Sequence, residues 1–563
     1  MPKLTINDKE VEVRAGTNLI EAARQLEIEV PHYCYHPGLS IAGQCRLCMV
    51  EIGNNPRPQI ACNTQVAEGM VVRTETPKVL EARRSIMEFH LINHPLDCPV
   101  CDQAGECWLQ IYYMKHGLYE PRMVDEKVHK PKAVPLGPHV ILDVERCILC
   151  SRCVRFCDEI TGTGELGIFQ RGDQSEIGLF PGRELTNPYS ANVIDICPVG
   201  ALTDRDFRFA VRVWYLETAK SICPGCSRGC NIEVHYNLRR PHHNQGRRVA
   251  RLKPRYHREV NQWWICDAGR YGYKFVDDPS RLLFPVRRVG SQAVEISWEE
   301  MIPLVAAQFS KYRPDEIGVL ASPRMANEDL FLLKRLVDHL GVRNVDFRVP
   351  PRTPGDEDRI LIKADKNPNT RGVELTGLSS GDGGLDARRL MSAVRERRIK
   401  CLWVFHHDLL ASAWPEGEAR EALGVLDCLI FQGSNQNGVS PFAHYVLPSA
   451  TWVEREGTFT NFEGRVQRFW KAVEPLGASL PDWEIIARIG QALGLGPMPV
   501  KAEDCFKALA AGVGAFAGLS YRELRDTGKL VPSEGGSPPP FRTSPHGIAP
   551  AKPALERPAG SDP

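Results

Sequence analysis

Fifteen of the nineteen cysteines, together with one histidine, have the number and spacing of iron–sulfur cluster ligands. They form four groups, and all of them lie between residues 34 and 266. These groups are set 1 (Cys34, Cys45, Cys48 and Cys62), set 2 (His94, Cys98, Cys101 and Cys107), set 3 (Cys147, Cys150, Cys153 and Cys197) and set 4 (Cys223, Cys226, Cys230 and Cys266). Because iron–sulfur clusters take up and release electrons, we expect this chain to move electrons between four such sites.

Set 1 predicts a 2Fe–2S cluster, because it places four thiolates around a central C-x2-C pair. Its spacing, C-x10-C-x2-C-x13-C, departs from the plant-type C-x4-C-x2-C pattern, but it supplies the same ligands. Gly38 and Gly43 in the ligand loop would let the backbone come close enough to donate amide hydrogen bonds to the cluster sulfurs.

Set 2 has the spacing H-x3-C-x2-C-x5-C and predicts a 4Fe–4S cluster in which the imidazole of His94 replaces one thiolate. A neutral ligand reduces the negative charge of the site and should therefore raise its reduction potential. A structural zinc site with three cysteine ligands and one histidine ligand is the alternative, since zinc accepts the same ligands.

Set 3 begins in a run with the spacing of bacterial ferredoxins, C-x2-C-x2-C-x3-C, which ends at Cys157. In two-cluster ferredoxins the last cysteine of each run binds the other cluster, so the fourth ligand of set 3 should stand before a proline, as Cys197 does. The positions that would complete a second cluster are occupied by Asn187, Ser190 and Val193. We therefore predict a single 4Fe–4S cluster here, with Cys157 as a buried free thiol.

Set 4 joins a compact C-x2-C-x3-C motif to Cys266 and predicts a further 4Fe–4S cluster. The basic stretch 239–258 between these cysteines contains eight Arg or Lys residues. Nucleic-acid binding and a solvated loop are the two interpretations of this stretch. The lack of an aromatic stacking platform between the charges favours the loop.

The elements that position these ligands differ between the two halves of the chain. The N-terminal pattern predicts a β-grasp: strands at 3–7, 10–14, 47–52 and 70–74, and a helix capped by Thr17 that runs to about Gln25. A second helix, 77–93, should deliver set 2. After Cys266 the pattern becomes α/β, with buried strands and a helix capped by Asn327, as in a doubly wound fold. These strands are expected at 316–321, 344–347, 402–405 and 428–431, and we expect Cys401 and Cys428 to be buried thiols there.

The composition indicates a protein of several domains, since 563 residues correspond to about four domains of roughly 150 residues. A net charge of +1 supplies no long-range field that would attract nucleic acid or an anionic membrane. The sequence shows neither an apolar run of about eighteen residues nor a signal-peptide core, so we expect no membrane-spanning helix and no secretion. Cysteines in such a chain indicate metal binding in a reducing compartment rather than disulfides.

The order of the motifs resembles that of one family, the large iron–sulfur subunit of bacterial NADH:quinone oxidoreductase, respiratory complex I. The resemblance covers about residues 1–500. The segments that carry it are CRLCMVEI, HPLDCPVCDQAGEC, RCILCSRCVRFCDE, DICPVGAL, CPGCSRGC, WWICDAGRYGYKF and EREGTFTNFEGRVQ.

This resemblance implies one 2Fe–2S cluster and three 4Fe–4S clusters on the four sets, and no catalytic site in this chain alone. Electrons would come from an NADH- and FMN-binding subunit and leave through further iron–sulfur subunits towards quinone, coupled in the whole complex to proton translocation. The implied partners are the other subunits of the peripheral arm, including the small 2Fe–2S subunit and the quinone-site subunits. The chain would lie on the cytoplasmic side of the inner (plasma) membrane, attached only through the complex, without binding nucleic acid. The resemblance also suggests that the cluster of set 4 stands off the main electron path.

The resemblance further implies an α+β and α/β multidomain fold. The expected domains are a 2Fe–2S ferredoxin-like β-grasp (1–78), a 4Fe–4S domain with one histidine and three cysteine ligands (79–118), a 4Fe–4S ferredoxin-like domain (119–214), a 4Fe–4S domain of molybdopterin-oxidoreductase type (215–280), a shortened molybdopterin-oxidoreductase-like α/β domain (281–500) and a C-terminal helix with a disordered proline-rich tail (501–563).

Three other functions compete with electron relay. A formate dehydrogenase with a similar N-terminal half usually has Lys where this chain has Ala268, and it needs a downstream metal ligand, whereas no cysteine occurs between Cys266 and Cys401. We therefore expect no molybdopterin. An iron-only hydrogenase would need cysteine motifs that three isolated later cysteines cannot supply. A zinc-stapled interaction protein fits the ligand types, but the ferredoxin run favours iron. No G-x-G-x-x-G motif indicates NADH binding in this chain.

Overall fold

The computed structural model describes residues 1–120, 122–240, 242–379, 383–497 and 499–531. The tail that the sequence predicts to be disordered lies from residue 532 onwards, outside the described residues. Within the described part of the chain, no helix is long and apolar enough to cross a membrane.

The N-terminal domain has the predicted β-grasp arrangement. The helix Leu19–Gln25 packs its apolar side, including Ile20 and Ala23, into a buried core against a five-stranded sheet. The first strand of the chain pairs in parallel with the last strand of the domain, and the other pairings are antiparallel. In spatial order the strands are Lys9–Glu12, Lys3–Ile6, Met70–Arg73, Met49–Ile52 and Gln59–Ile60.

The start of this helix differs from the prediction by one residue. Asn18, not Thr17, is the N-cap, because its side-chain oxygen accepts a hydrogen bond from the Glu21 N–H at 3.0 Å. The Thr17 carbonyl oxygen accepts a hydrogen bond from Val66 N–H at 2.9 Å instead. Asn and Thr are both good N-caps, so two adjacent candidates could not be separated by sequence.

Two helices frame set 2. The helix Pro77–Leu91 begins with Thr76 as its N-cap and a proline at its first position, which suits proline because that N–H needs no helical partner. It ends two residues before the predicted end, so His94 lies in the loop that follows. The helix Trp108–His116 begins directly after Cys107, the last ligand of the set.

The ferredoxin-like part is small and built around short elements. Strands Val134–Pro135, Val140–Leu142 and Leu202–Asp204 form an antiparallel sheet, and Leu166–Phe169 pairs with Glu176–Leu179 in a hairpin. Two helices of five residues carry or precede the ligands of set 3: Arg152–Phe156 and Asn192–Ile196.

The domain of set 4 consists of an antiparallel sheet of the strands Glu217–Ile222, Asn231–Tyr236 and Val249–Pro254. The C-x2-C-x3-C motif forms the turn between the first two strands. Cys266 is the N-cap of the helix Asp267–Tyr271, so its sulfur lies beside free backbone N–H groups.

The C-terminal domain has the predicted doubly wound α/β fold. Five adjacent parallel strands form most of a seven-stranded sheet and extend to one edge, and an antiparallel hairpin completes the other edge. The spatial order is Gln292–Glu295, Val286–Val289, Tyr445–Pro448, Cys428–Gly433, Cys401–Phe405, Ile317–Leu320 and Asn344–Asp346. Cys401 and Cys428 are buried on neighbouring strands, as predicted.

Helices cover both faces of this sheet, and a separate three-stranded sheet packs beside it. The helices are Trp298–Lys311, Asn327–His339, Thr370–Thr376, Ala387–Arg395, Glu416–Gly424, Asp482–Ala492, Ala502–Gly512 and Tyr521–Leu524. The smaller sheet consists of Gly457–Thr460, Arg465–Phe469 and Lys529–Leu530.

The predicted capping role of Asn327 is wrong. The N-cap position is occupied by Ala326, and Asn327 is the first helical residue. Its buried side chain donates to the hydroxyls of Thr458 and Thr460, both at 3.0 Å. The side chain therefore joins the helix to the smaller sheet, a tertiary contact that local sequence does not reveal.

Candidate metal centres

The thiols of set 1 contact one another in a buried site. Hydrogen bonds between thiols link Cys34 to Cys45 and Cys62, and Cys62 to Cys48. These contacts lower the pKa of Cys34 and Cys48 and raise the pKa of Cys45 and Cys62. Bound iron would be needed to keep all four groups as thiolates, because a coordinating thiol loses its proton. The Tyr33 N–H donates to Cys45 Sγ at 3.4 Å, the kind of amide contact that tunes a cluster.

In set 2, the imidazole of His94 is a buried group without a hydrogen-bond partner at Nδ1. Burial lowers the pKa of His94 to about 4, so the ring is neutral at neutral pH, which is the form that binds metal. Cys101 and Cys107 are buried, and burial raises the pKa of Cys107 to about 11. A bound metal ion would offset that cost, because a coordinating thiol loses its proton.

Set 3 surrounds a cavity that all four of its cysteines line. Besides the sulfurs, the wall is mainly apolar, with Leu142, Ile177 and Leu202 among its residues. The Leu149 N–H donates to Cys147 Sγ at 3.4 Å. An apolar cavity bounded by four thiols and supported by an amide N–H fits a cluster with four thiolate ligands.

The four thiols of set 4 are also near neighbours. Burial raises the pKa of Cys223, and the adjacent thiols of Cys266 and Cys226 add to the rise. The Gly269 N–H donates to Cys266 Sγ at 3.3 Å. A Cβ atom at Gly269 would stand 3.0 Å from Cys223 Sγ and 3.3 Å from Cys266 Sγ. Both distances are shorter than ordinary van der Waals contacts, so a larger residue here would crowd the two sulfurs.

Across the described residues, no three His, Cys, Asp or Glu side chains converge closely enough to hold a single metal ion. An iron–sulfur cluster would make a different demand, since no more than two protein ligands would bind any one iron.

Set 3 is joined to set 1 by two arginines. Arg152 donates to the carbonyls of Tyr35 and Ile196, which are neighbours of Cys34 and Cys197. Arg155 donates to the carbonyl of Cys34 at 2.6 Å and to that of Cys150 at 3.3 Å. Each guanidinium thus contacts the backbone of both sets.

Set 3 is also joined to set 2. Arg146, which precedes Cys147, forms an ion pair with Asp97, which precedes Cys98, with one N–O distance of 2.9 Å. A Cβ atom at Gly200 would overlap with Cys101 Sγ. Set 3 is therefore in contact with the sets on both sides of it.

Cys157 is completely buried and does not line the cavity of set 3. Burial raises its pKa, and the neighbouring carboxylate of Glu165 raises it further. The predicted burial of this thiol is confirmed, and its exclusion from the ligands stays a prediction.

The basic stretch 239–258 is partly structural. Arg251 pairs with Glu106 at 2.8 Å, and Arg248 pairs with Asp277 and Glu454, each at 2.7 Å. Several positive charges of this stretch are thus paired with carboxylates of other segments. The interpretation of the stretch as a solvated loop did not anticipate these ion pairs.

A cleft of about 790 Å³ opens at the carboxyl ends of the parallel strands, the usual ligand position in such a sheet. Its wall includes Pro224, next to Cys223, as well as Arg324, His406 and His407. No cysteine is among the described residues that line it. The expectation that this domain holds no molybdopterin stays a prediction.

The sequence predicts the ligands from their spacing but does not reveal the residues that lie between the sets. Arg152, Arg155, Gly200 and Gly269 belong to this group. Their position within or just after a cysteine motif was the only available signal, and it does not distinguish a functional arginine or glycine from a surface one.

Comparison with known proteins gives five family models that match successive parts of the chain. They are a 2Fe–2S iron–sulfur cluster binding domain (2–77), an NADH-ubiquinone oxidoreductase-G iron–sulfur binding region (83–122), the ferredoxin-like domain of NADH-quinone oxidoreductase subunit 3 (137–203), a molybdopterin oxidoreductase Fe4S4 domain (216–278) and a molybdopterin oxidoreductase domain (368–492). The chain therefore contains 2Fe–2S and 4Fe–4S binding domains, and the predicted fold class is confirmed.

Two curated relatives show how far the likeness extends. The chain is 38% identical over 344 residues to the G subunit of the NADH-quinone oxidoreductase of Rickettsia felis, a match that covers 61% of this chain and 50% of the relative. It is 30% identical to the mitochondrial NADH-ubiquinone oxidoreductase 78 kDa subunit of Candida albicans, over 87% of this chain and 82% of that protein. The chain thus spans about half the length of the bacterial relatives it matches. A solved NAD+-reducing [NiFe]-hydrogenase chain is 28% identical, with a TM-score of 0.34, over 38% of this chain and 91% of that chain.

Proposed function

The chain belongs to the family of the large iron–sulfur subunit of NADH:quinone oxidoreductase, and on that premise we propose that it is an electron-relay subunit of such a complex. It takes electrons from a subunit that binds NADH and FMN and passes them through its clusters towards quinone. The bond-making chemistry and the coupling to proton translocation belong to the whole complex. The chain's own work is to hold the clusters and set their potentials.

The observation that supports this function best is the central position of set 3. Its ligand segments contact set 1 through Arg152 and Arg155, and set 2 through the Arg146–Asp97 pair and Gly200. Clusters in three adjoining sites can exchange electrons in sequence. The proposed route is therefore set 1, set 3, set 2, with set 4 beside it.

The proposed cofactors are a 2Fe–2S cluster on set 1 and a 4Fe–4S cluster on each of the other sets, with no molybdopterin. When bound, the clusters supply the one-electron steps. The residues of this chain bind the irons, donate amide hydrogen bonds to the ligand sulfurs and keep water from the sites. The corresponding domains are 1–78 (set 1), 79–118 (set 2), 119–214 (set 3) and 215–280 (set 4), followed by a cofactor-free α/β scaffold (281–500) and a C-terminal segment (501–563).

The proposed partners are other peripheral-arm subunits: the NADH/FMN subunit, the small 2Fe–2S subunit and the downstream iron–sulfur and quinone-site subunits. On this proposal the chain reaches the cytoplasmic face of the membrane only through them.

The deciding measurement is the content of iron, zinc and molybdenum in the anaerobically purified full chain. The proposed clusters require about 14 iron atoms per chain, two on set 1 and four on each other set. Iron near that value without zinc or molybdenum supports the relay. Stoichiometric molybdenum would instead assign catalysis to the C-terminal domain, as in a formate dehydrogenase. Zinc in place of iron would remove the electron-transfer function.

A further inference from the structure

Two arginines that bind no iron lie between set 1 and set 3. Arg152 is only 7% exposed, and its two terminal nitrogens donate to different parts of the chain. One donates to the Ile196 carbonyl at 3.0 Å, next to Cys197 of set 3, and the other to the Tyr35 carbonyl, next to Cys34 of set 1.

Arg155 repeats this bridge one helical turn later. Its Nη2 donates to the carbonyls of Cys34 and Cys150, and its Nη1 donates to the carbonyl of Ser40 in the ligand loop of set 1. Its Nε donates to the hydroxyl of Ser151 at 3.2 Å. Arg155 is half-buried, and each of its terminal nitrogens contacts the ligand loop of set 1.

Every acceptor of these two guanidinium groups is uncharged. Among the described residues, neither arginine has a carboxylate within 4.0 Å. Two other buried arginines beside the ligand sets are paired: Arg146 with Asp97, and Arg270 with Asp195. Arg83, buried beside set 1, also donates to a carbonyl, that of Met49, and has no carboxylate within 4.0 Å among the described residues. Arg152 and Arg155 differ from it because each contacts the ligand segments of both set 1 and set 3.

A buried cation without a counter-charge is costly, and carbonyl dipoles offset only part of that cost. A cluster held by four thiolates is an anion, and its net charge is one of the factors that set its reduction potential. We propose that Arg152 and Arg155 are positioning residues that fix set 1 against set 3 and use their positive charge to raise the reduction potentials of both clusters. This rests on the proposed function, since it takes the two clusters as the missing counter-charges.

The direction of the effect follows from charge alone. Reduction adds an electron to an anionic cluster, and a nearby cation stabilises the product more than the reactant. Because each arginine contacts the backbone of both sets, removing one should affect both clusters. The clusters of set 2 and set 4 should keep their potentials.

The test uses the full chain, purified anaerobically, with redox titration of each cluster followed by EPR. For Arg152→Gln and for Arg155→Gln we expect the one-electron reduction equilibrium of set 1 and set 3 to fall at least about tenfold, which equals about 59 mV. Arg152→Lys retains the charge but not the planar fork that holds two carbonyls. It should keep the clusters and restore most of the potential.

Arg183→Gln is the matched control, because Arg183 also donates to two carbonyls of the same domain, those of Thr163 and Gly164, but it is exposed and away from the ligands. In the Arg183→Gln variant, the reduction potentials of the clusters on set 1 and set 3 should be unchanged. A glutamine variant at 152 or 155 that keeps both clusters at unchanged potentials overturns the proposal.

If both glutamine variants lose iron from set 1 and set 3, their potentials cannot be compared, and the Arg152→Lys variant then tests the role of the positive charge. Clusters retained near the original potentials support the proposal, and clusters lost overturn the role of charge. Iron content of the unchanged chain is read separately. A value far from about 14 atoms refutes the proposed clusters themselves, whatever the arginine variants do.

Discussion

At the scale of single residues, His94 is the proposed ligand whose chemistry differs from the rest. Its Nδ1 is buried without a partner, and its burial favours the neutral ring. A buried imidazole nitrogen that finds no hydrogen bond would normally be destabilising. A bond to iron, as proposed for this ring, would explain why it is tolerated here.

Replacing His94 by Cys should therefore lower the potential of the cluster on set 2. A thiolate brings a negative charge where the imidazole brings none, and added negative charge disfavours reduction. We expect a fall of at least about 59 mV, a tenfold change in the one-electron equilibrium, in an EPR-monitored titration. His116→Cys in the same domain is the control and should leave the potential unchanged. An unaltered potential in His94→Cys would show that His94 is not a ligand.

The cysteine motifs that supply the proposed ligands could be recognised in the sequence, whereas their surroundings could not. Cys150 and Cys153 are recognisable because cluster geometry fixes their spacing. Nothing in the sequence says that Arg152 between them points at Tyr35, more than a hundred residues away. Such contacts depend on how domains pack, which a local motif does not encode.

At the scale of elements, the segment from Cys197 to Gly200 serves two sets at once. Cys197 belongs to set 3, while the Pro198 carbonyl accepts a hydrogen bond from Trp108 N–H at 2.9 Å, at the start of the helix after set 2. Gly200 then passes so close to Cys101 Sγ that a side chain there would overlap with the sulfur. The segment holds the two sites together through close backbone approach.

Gly200→Ala should consequently disrupt set 2. The added methyl group must displace Cys101, and Gln103 at 3.1 Å leaves little room on the other side. We expect the EPR signal of this cluster to be lost or shifted, with iron falling by about four atoms per chain. Gly417→Ala is the control, since a Cβ atom there meets nothing within 4 Å and alanine favours a helix. Retention of a native signal in Gly200→Ala would contradict the close contact.

Element types were predicted better than element ends. Apolar periodicity identified both the β-grasp helix and the parallel strands around Cys401 and Cys428. The ends of the helices depend on which side chain caps them and on tertiary contacts of the candidate caps, and apolar periodicity reports neither. Asn18 rather than Thr17 caps one helix. Asn327 is not the cap of the other, and its side chain donates to Thr458 instead.

At the scale of the whole molecule, the C-terminal domain is attached to the cluster-binding half through the ligand turn of set 4. Gln467 accepts a hydrogen bond from Asn231 at 2.8 Å and donates to the Gly229 carbonyl at 2.9 Å. The Phe462 N–H donates to the Ser227 carbonyl at 2.9 Å. The strand Arg465–Phe469 and the loop before it thus hold the turn that carries three of the four ligands. The C-terminal domain, which we propose to bind no cofactor of its own, is therefore placed to stabilise the cluster of set 4.

Gln467→Ala should release the cluster of set 4 and spare the others. Gln467 is fully buried, so its loss removes the hydrogen-bond partner of the Asn231 side-chain N–H and of the Gly229 carbonyl, at a cost of about 1–3 kcal/mol for each group. After anaerobic treatment with a chelator, we expect iron to fall from about 14 to about 10 atoms per chain while the EPR signals of sets 1 to 3 persist. Gln491→Ala, on an exposed position of the helix Asp482–Ala492, should retain all the iron. Loss spread over all four sets would mean that the C-terminal domain stabilises the whole cluster-binding half, and full retention would mean that set 4 holds its cluster without this clamp.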